Sequence, residues 1–391
     1  MGASPPLAAL DGIRVLDFST VGPAARCARI LADYGAEVVK IGSPKRSGVQ
    51  IEPAHWAYGA GRGMRRLRID LKAREGREAF LRLVGQADVV LESFRPGVVD
   101  RLGVGYADAS RVNERIIYCS TSGYGKTGPA AAWAGHDLDY LALGGYLHMS
   151  GRRADGGPAL PGATIADSAA GGMHAAVAIL AALLRRSRTG RGEFLDVSVA
   201  EGVLSLMALQ LDEHLATGAD PGPGHDVLSG RYACYGIYGT RDGGWLAVGA
   251  IEAAFWANLC RALGLERWIT HQYDDAQQAA IRADLSAAFR TRDRDAWVTE
   301  LAPADTCVAP VLSLAELAQA PLFQARGVIQ EVEHPQHGRF RQLAPVLAGA
   351  SRRSSDLQLR DAAASDAEPL LRAAGYTDAE IEALRGAGSV A

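Results

Sequence analysis

Two hydrophobic periods alternate through the first 120 residues, and that alternation limits the possible folds more than any single motif does. Residues 13–18 form an apolar run of strand length, after which Gly22 and Pro23 open a helical pattern lasting to about Tyr34. Gly35 stands where a left-handed residue ends a helix, and residues 37–41 read as the next strand. A helical stretch from about Arg74 to Gln86 leads into an apolar strand at 87–91, and a shorter helix precedes another at 115–120. Strand and helix alternating at this spacing predict a parallel sheet covered on both faces.

Residues 168–186 are Ala-rich and almost wholly apolar, so they predict a buried helix closed by Arg185, Arg186, Arg188 and the turn Thr189-Gly190-Arg191-Gly192. A strand at 194–197 and a helix from Val199 to about Thr217 follow. The Gly- and Pro-rich stretch 218–224 then reads as a linker. Beyond it come a short strand pair at 235–240 and 245–248 and three helices reaching about Ala320. The expected organisation is a large domain over 1–210 completed by 335–391, a linker at 211–224, and a smaller α+β domain over 225–330. Thr377-Asp378-Ala379-Glu380 is a capping box that starts a last helix.

A chain of 391 residues has room for two full cores, and 48% apolar with 22% charged residues is an ordinary globular composition. A formal charge of −3 leaves no electrostatic footprint for nucleic acid or an anionic membrane, so any basic patch must be local. The five cysteines lack paired spacing, which argues against a disulfide framework and for a reducing compartment. Met1-Gly2-Ala3-Ser4-Pro5-Pro6 shows no basic or apolar leader pattern. The apolar stretch 173–184 is too short to span a bilayer and contains His174. A cytoplasmic protein without a membrane partner is expected.

Gly123-Tyr124-Gly125-Lys126-Thr127-Gly128 matches G-x-G-x-x-G after a predicted strand, but Pro129 and an alanine run follow where a phosphate-binding helix would have to begin. A turn is the better reading. His136, Asp137 and Asp139 do not make a metal site, because adjacent ligands on a strand diverge and no second histidine lies at ligand spacing. Asp167, just before the long helix, reads as an N-cap or as a carboxylate held ionised at the positive end of a helix dipole. His136 and Glu252 are each compatible with ordinary structural roles. Taken together, however, one imidazole and two carboxylates are suited to moving a proton on and off a carbon atom.

The chain resembles the family III CoA-transferases (CaiB/BaiF type), and within them the racemases of α-methylacyl-CoA. The resemblance runs through residues 10–17, Gly35-Ala36-Glu37-Val38-Val39-Lys40-Ile41, Phe94-Arg95-Pro96-Gly97-Val98, residues 122–129, Arg188-Thr189-Gly190-Arg191-Gly192 and residues 374–381. Gly135-His136-Asp137 and Gly249-Ala250-Ile251-Glu252 match motifs of the racemases that the transferases typically lack.

The resemblance implies an α/β fold: a large Rossmann-like parallel-sheet domain plus a smaller α+β domain, in an interlocked homodimer. It implies an isomerase that racemises 2-methyl-branched acyl-CoA thioesters by 1,1-proton transfer through an enolate. The coenzyme A thioester is then the substrate, and no metal or other cofactor is needed. His136 and Asp167 exchange the proton, Glu252 of the partner chain sets the basicity of His136, and the Asp137 N–H stabilises the enolate oxygen. Lys40 and Arg95 match positions that contact CoA, Arg65 is a further candidate cation beside them, and Asp70-Leu71-Lys72 frames the adenine. The alternative implied is a CoA-transferase in which Asp167 forms a mixed anhydride. This chain departs from the family pattern at Gly42, usually Glu, and at Ser168, often aromatic.

Overall fold

The computed structural model describes residues 8–44, 61–334, 337–352, 357, 359–360 and 364–391. Residues 1–6, on which the reading of the N-terminus rests, lie outside this range. The chain divides into one unit of Met1–Tyr146, Pro161–Ala208 and Leu322–Ala391 and a second of Leu147–Leu160 and Leu209–Pro321.

The first unit is built on strands β1 (Arg14–Asp17), β2 (Glu37–Gly42), β3 (Arg65–Arg68), β4 (Val89–Glu92), β5 (Ile117–Ser122) and β6 (Glu193–Ser198). They form one sheet in the order β3-β2-β1-β4-β5-β6, every pair parallel. Its helices include α1 (Gly22–Asp33), α2 (Arg74–Val84), α3 (Val98–Arg101), α4 (Tyr106–Val112), α5 (Asp137–Leu143), α6 (His174–Thr189) and α7 (Val199–Leu206). Successive strand residues face opposite sides. Val15, Val38, Val89 and Ile117 therefore share one core with Ala28 and Leu31 of α1 and Ala175, Ile179 and Ala182 of α6. Leu16, Val39, Val90 and Tyr118 share the other with Phe80 of α2 and with Leu370, Leu371 and Ile381 of the C-terminal helices. Strand order reverses between β1 and β4, so the carboxyl ends of these strands flank the crevice that open α/β sheets use for ligands.

The second unit holds α8 (Ala208–Thr217) from Leu209 onward, the antiparallel sheet β7 (Tyr235–Gly239), β8 (Trp245–Gly249) and β9 (Val308–Pro310), and helices α9 (Ala253–Ala262), α10 (Gln278–Phe289) and α11 (Arg294–Leu301). Trp256, Leu285, Phe289 and Trp297 fill its core.

Several expectations need correction. Arg65, read only as a candidate cation, begins Arg65–Arg68, the edge strand of the sheet. The expected linker begins too early, because α8 continues to Thr217. Leu147–Leu160 joins the second unit, where His148 Nε2 meets the Pro221 carbonyl oxygen at 3.1 Å. The second unit ends at Pro321, and an antiparallel hairpin of Ile329–His334 with Gly338–Leu343 lies in the first. The long apolar helix is also longer than the apolar stretch inside it. A π-helical segment, Ala166–Met173, runs directly into α6, and these 24 residues are long and apolar enough to cross a membrane by length and composition alone.

Candidate active site

His136 lies on no strand. It is the N-cap residue of α5, with extended backbone, and its N–H donates to the Asp139 carboxylate at 2.9 Å while the Asp139 N–H returns to the His136 carbonyl. Asp139 thus plays the part that Glu plays in a capping box, and two acids in the first turn favour the positive end of the helix. The imidazole is exposed. The Asp137 N–H, one of the donors that every helix leaves unsatisfied at its start, has no hydrogen-bond partner among the described residues.

Asp167 is likewise no N-cap. It sits in the first turn of the π-helical segment, whose cap is Ile165; such segments recur at functional sites. Its N–H donates to Asp137 Oδ1 at 2.8 Å, so a carboxylate thirty residues upstream satisfies an orphan donor of this helix and ties it to the start of α5. The half-buried Asp167 carboxyl is held above the usual carboxylate range, first by burial and then by the negative charge of Asp137, with Arg26 and His136 opposing. His136, Asp137 and Asp167 therefore converge on one junction of two helix starts.

Aromatic packing positions that junction. The Tyr140 hydroxyl donates to the Gly135 carbonyl at 2.5 Å, and its ring meets Tyr124 edge-on at 5.2 Å between centroids. Burial and the nearby Asp167 push the Tyr140 phenol up to about 12. A Cβ at Gly123 would lie 2.3 Å from Tyr140 Cε1, and one at Gly135 would lie 2.7 Å from the Tyr124 hydroxyl. The first glycine of the G-x-G-x-x-G match is thus required by a ring rather than by a phosphate. In front of these rings is a cavity of about 410 Å³ lined by Ser93, Arg95, Ser122, Tyr124, Trp133 and His136, among others. Arg95 and His136 share it.

The other expected CoA-binding cations are distributed differently. Lys40 Nζ is 2.7 Å from Oδ2 of the fully buried Asp17 and 3.2 Å from Ser19 Oγ. It lines a second cavity of about 120 Å³ together with Arg66 and Arg68. Arg65 points to the opposite face of β3 and pairs with Glu37 at 2.6 Å and Asp366 at 3.8 Å, so the cations beside Lys40 are its neighbours in sequence. Leu71 packs against the core, and Lys72 is exposed with its N–H bonded to Asp70 Oδ1 at 3.0 Å.

Glu252 belongs to the second unit and is the N-cap residue of α9. Side chains of Gln272 and Tyr273 hold the loop before it. Gln272 Nε2 donates to the carbonyls of Ala250 and Ile251 at 3.0 and 2.6 Å, and the Tyr273 hydroxyl donates to Ile251 at 2.5 Å. The Glu252 side chain is exposed and has no hydrogen bond or ion pair among the described residues. Among those residues, no group of three or more His, Cys, Asp or Glu side chains is arranged to hold a metal ion.

The model of CoA-transferase family III matches residues 10–360. The chain belongs to that family. Among family III relatives, human alpha-methylacyl-CoA racemase is 35% identical over 320 residues, covering 82% of each chain. Succinyl-CoA--D-citramalate CoA-transferase of Chloroflexus aurantiacus is 30% identical, covering 87% of this chain and 88% of that one. The crystal structure of a CAIB/BAIF family protein from Brucella suis superposes with a TM-score of 0.76 at 28% identity, covering 94% of this chain and 99% of that one. Family III thus holds both racemase and transferase relatives of this enzyme.

Proposed function

We propose that this family III enzyme racemises 2-methyl-branched acyl-CoA thioesters by 1,1-proton transfer. The observation that carries the reading is the junction of α5 with the Asp167 helix. There an imidazole, a carboxyl raised above its usual range and an unpartnered N–H lie at two helix starts tied together by the Asp167 N–H to Asp137 bond. A base and an acid on opposite faces of a carbon are what α-proton exchange requires.

In the forward direction one of His136 and Asp167 takes the α-proton. The C–H electron pair becomes the enolate π-bond, and negative charge moves to the thioester oxygen. The Asp137 N–H donates to that oxygen, a contact that typically accounts for about 3 kcal/mol of barrier. The other group then returns a proton to the opposite face, so atoms and charge balance over the cycle. Acid–base transfer contributes on the order of 10²–10⁴-fold. Arg95 meets the phosphates of the CoA substrate, with Lys40 and its neighbours as further cations.

Assembly as an interlocked homodimer is part of the proposal, with Glu252 of a second copy orienting His136 through a carboxylate–imidazole contact. Val177 and Leu184 of α6 are 64% and 57% exposed, an apolar face that supports a second copy. The alternative is acyl transfer through an Asp167 mixed anhydride. It is favoured by relatives such as the formyl-CoA:oxalate CoA-transferase of Rhodopseudomonas palustris, 28% identical over 98% of this chain and 97% of that one.

The test is incubation with (2R)-2-methylacyl-CoA in D₂O with a free carboxylic acid present. Deuterium at C2 with approach to an R/S mixture, abolished in His136→Ala, is the expected outcome. A new thioester made from the added acid, with no α-deuterium, would refute the racemase reading and establish the transferase.

A further inference from the structure

Two fully buried carboxylates end the neighbouring strands at the switch point, and each is used in the same way. Asp17, last in β1, accepts the Ser19 N–H with one oxygen at 2.7 Å and Lys40 Nζ with the other. Glu92, last in β4, accepts the Phe94 N–H on Oε2 at 2.6 Å and Lys126 Nζ on Oε1 at 2.9 Å. The second pair reaches into the cavity wall on both sides. Phe94 leads directly to Arg95. Lys126 belongs to the glycine-rich loop that follows β5, and its own N–H is held by Asp196 Oδ2 of β6 at 3.0 Å. Its side chain therefore passes from the β6 side over the end of β5 to β4. The same loop contains Gly123, on which the Tyr140 ring rests, and Tyr140 holds Gly135 beside His136.

We infer that Glu92 and Lys126 are a positioning pair for the proposed proton transfer, a buried strap that fixes the Arg95 wall of the cavity relative to the His136 wall without touching substrate. The inference rests on the racemase reading for its kinetic consequences but not for its geometry. One oxygen of Glu92 sets the turn that presents Arg95, and the other sets the loop that presents His136. Misplacement of about 1 Å remote from the chemistry can cost on the order of 100-fold in rate.

The variants are Lys126→Met, Glu92→Gln and the double variant. In Lys126→Met the Phe94 bond survives, so CoA affinity, measured by calorimetry, stays within about threefold, while kcat for α-deuterium incorporation falls about 10- to 100-fold. In Glu92→Gln both CoA affinity and kcat fall. The imidazole cross-peak of His136, assigned by its loss in His136→Asn, moves in both. The double variant removes the uncompensated buried charge, so its melting temperature recovers towards wild type. Its kcat stays low and its His136 cross-peak stays displaced, because the strap is still missing. Recovery of kcat together with stability in the double variant, or singles that lose stability but keep kcat and the His136 cross-peak, would overturn the inference. The CoA affinity and the His136 spectrum need no turnover. Absence of racemisation in the wild type would therefore reject the functional reading and leave the test of the strap intact.

Discussion

Gly123→Ala separates a packing role from a ligand role for the glycine-rich loop. The added Cβ would stand 2.3 Å from Tyr140 Cε1 and 2.7 Å from its Cζ and hydroxyl oxygen. Carbon atoms settle at about 3.5–4.0 Å, so the ring must retreat by about 1 Å. It has little room to do so: Tyr140 is buried, Tyr124 packs edge-on against it, and its hydroxyl is bonded to Gly135. Overpacking of this kind costs about 1–3 kcal/mol. In a unit of this size that lowers the melting temperature by roughly 2–4 °C per kcal/mol. Because Tyr140 holds the residue before His136, the same substitution should lower α-proton exchange by on the order of 100-fold. Tyr140→Leu removes the atoms that clash. In the double variant Gly123→Ala/Tyr140→Leu the two losses should therefore fail to add, with a coupling of about 0.5–3 kcal/mol. The assay is calorimetric melting of all four proteins alongside CoA titration. If Gly123→Ala melts like wild type while CoA affinity collapses, the glycine serves a phosphate and the packing argument is wrong. Strict additivity in the cycle would reject it equally.

Three further outcomes follow from the same geometry. Asp137→Asn keeps an oxygen to accept the Asp167 N–H but removes the charge that helps raise the Asp167 pKa, so the acid limb of the kcat–pH profile should move to lower pH; a limb that stays in place would rule out that charge as a cause. The sign carries over to stability. A carboxyl raised on folding favours the folded state fully below its unfolded pKa, and that contribution is lost as pH rises through the folded value. Asp137→Asn should therefore stabilise the protein at pH 7 relative to pH 3, whereas Asp137→Ala loses the cap and about 1 kcal/mol. Arg95→Ala at an exposed position should leave melting within about 0.5 kcal/mol yet weaken CoA binding about 10- to 100-fold, as expected for loss of a hydrogen bond to a charged group; unchanged CoA affinity would remove Arg95 from the ligand site. Val177→Glu on the exposed face of α6 should convert the proposed dimer to monomer in sedimentation, and a wild-type dimer whose sedimentation coefficient is unchanged by the substitution would exclude that face from its interface.

The parallel sheet was legible because its buried strands are apolar runs punctuated by helix starts and glycine stops. Residues 13–18, 37–41 and 87–91 overlap β1, β2 and β4 to within two residues at either end. β3 was not legible, since Arg65-Arg66-Leu67-Arg68 has one apolar residue and the cations of an edge strand hide its alternation. β9 is a three-residue strand with a proline at its end, too short for any period to show. In the site, the residue types were readable but their contacts were not. Histidine is no favoured N-cap, so the start of α5 gave only the indirect signal of Asp137 and Asp139 in its first turn. The bond between Asp137 and the Asp167 N–H joins residues thirty apart and exists only once both helices are packed. Glu92, like Asp17, could have been noticed as a charged residue closing an apolar strand, but its lysine lies 34 positions away in a loop read as a turn.

The raised pKa of Asp167 also bears on which chemistry this member of the family performs. A carboxylate that attacks an acyl carbon must be ionised, and its usefulness falls as a neighbour's negative charge favours the protonated form. A carboxyl that passes a proton back and forth works best when its pKa moves towards the operating pH. Burial and Asp137 push Asp167 in the second direction, and in the proposed racemisation the imidazole of His136 is the second proton-transfer group, one that acyl transfer does not need. The cap that orients the Asp167 helix and the charge that tunes Asp167 are thus one side chain. Neutralising it in Asp137→Asn should depress racemisation at neutral pH while making Asp167 a better nucleophile. A variant that gains acyl exchange onto a free carboxylate as it loses α-deuterium incorporation would place the division between the two family chemistries at this contact. Loss of deuterium incorporation with no gain in exchange would place it elsewhere in the site.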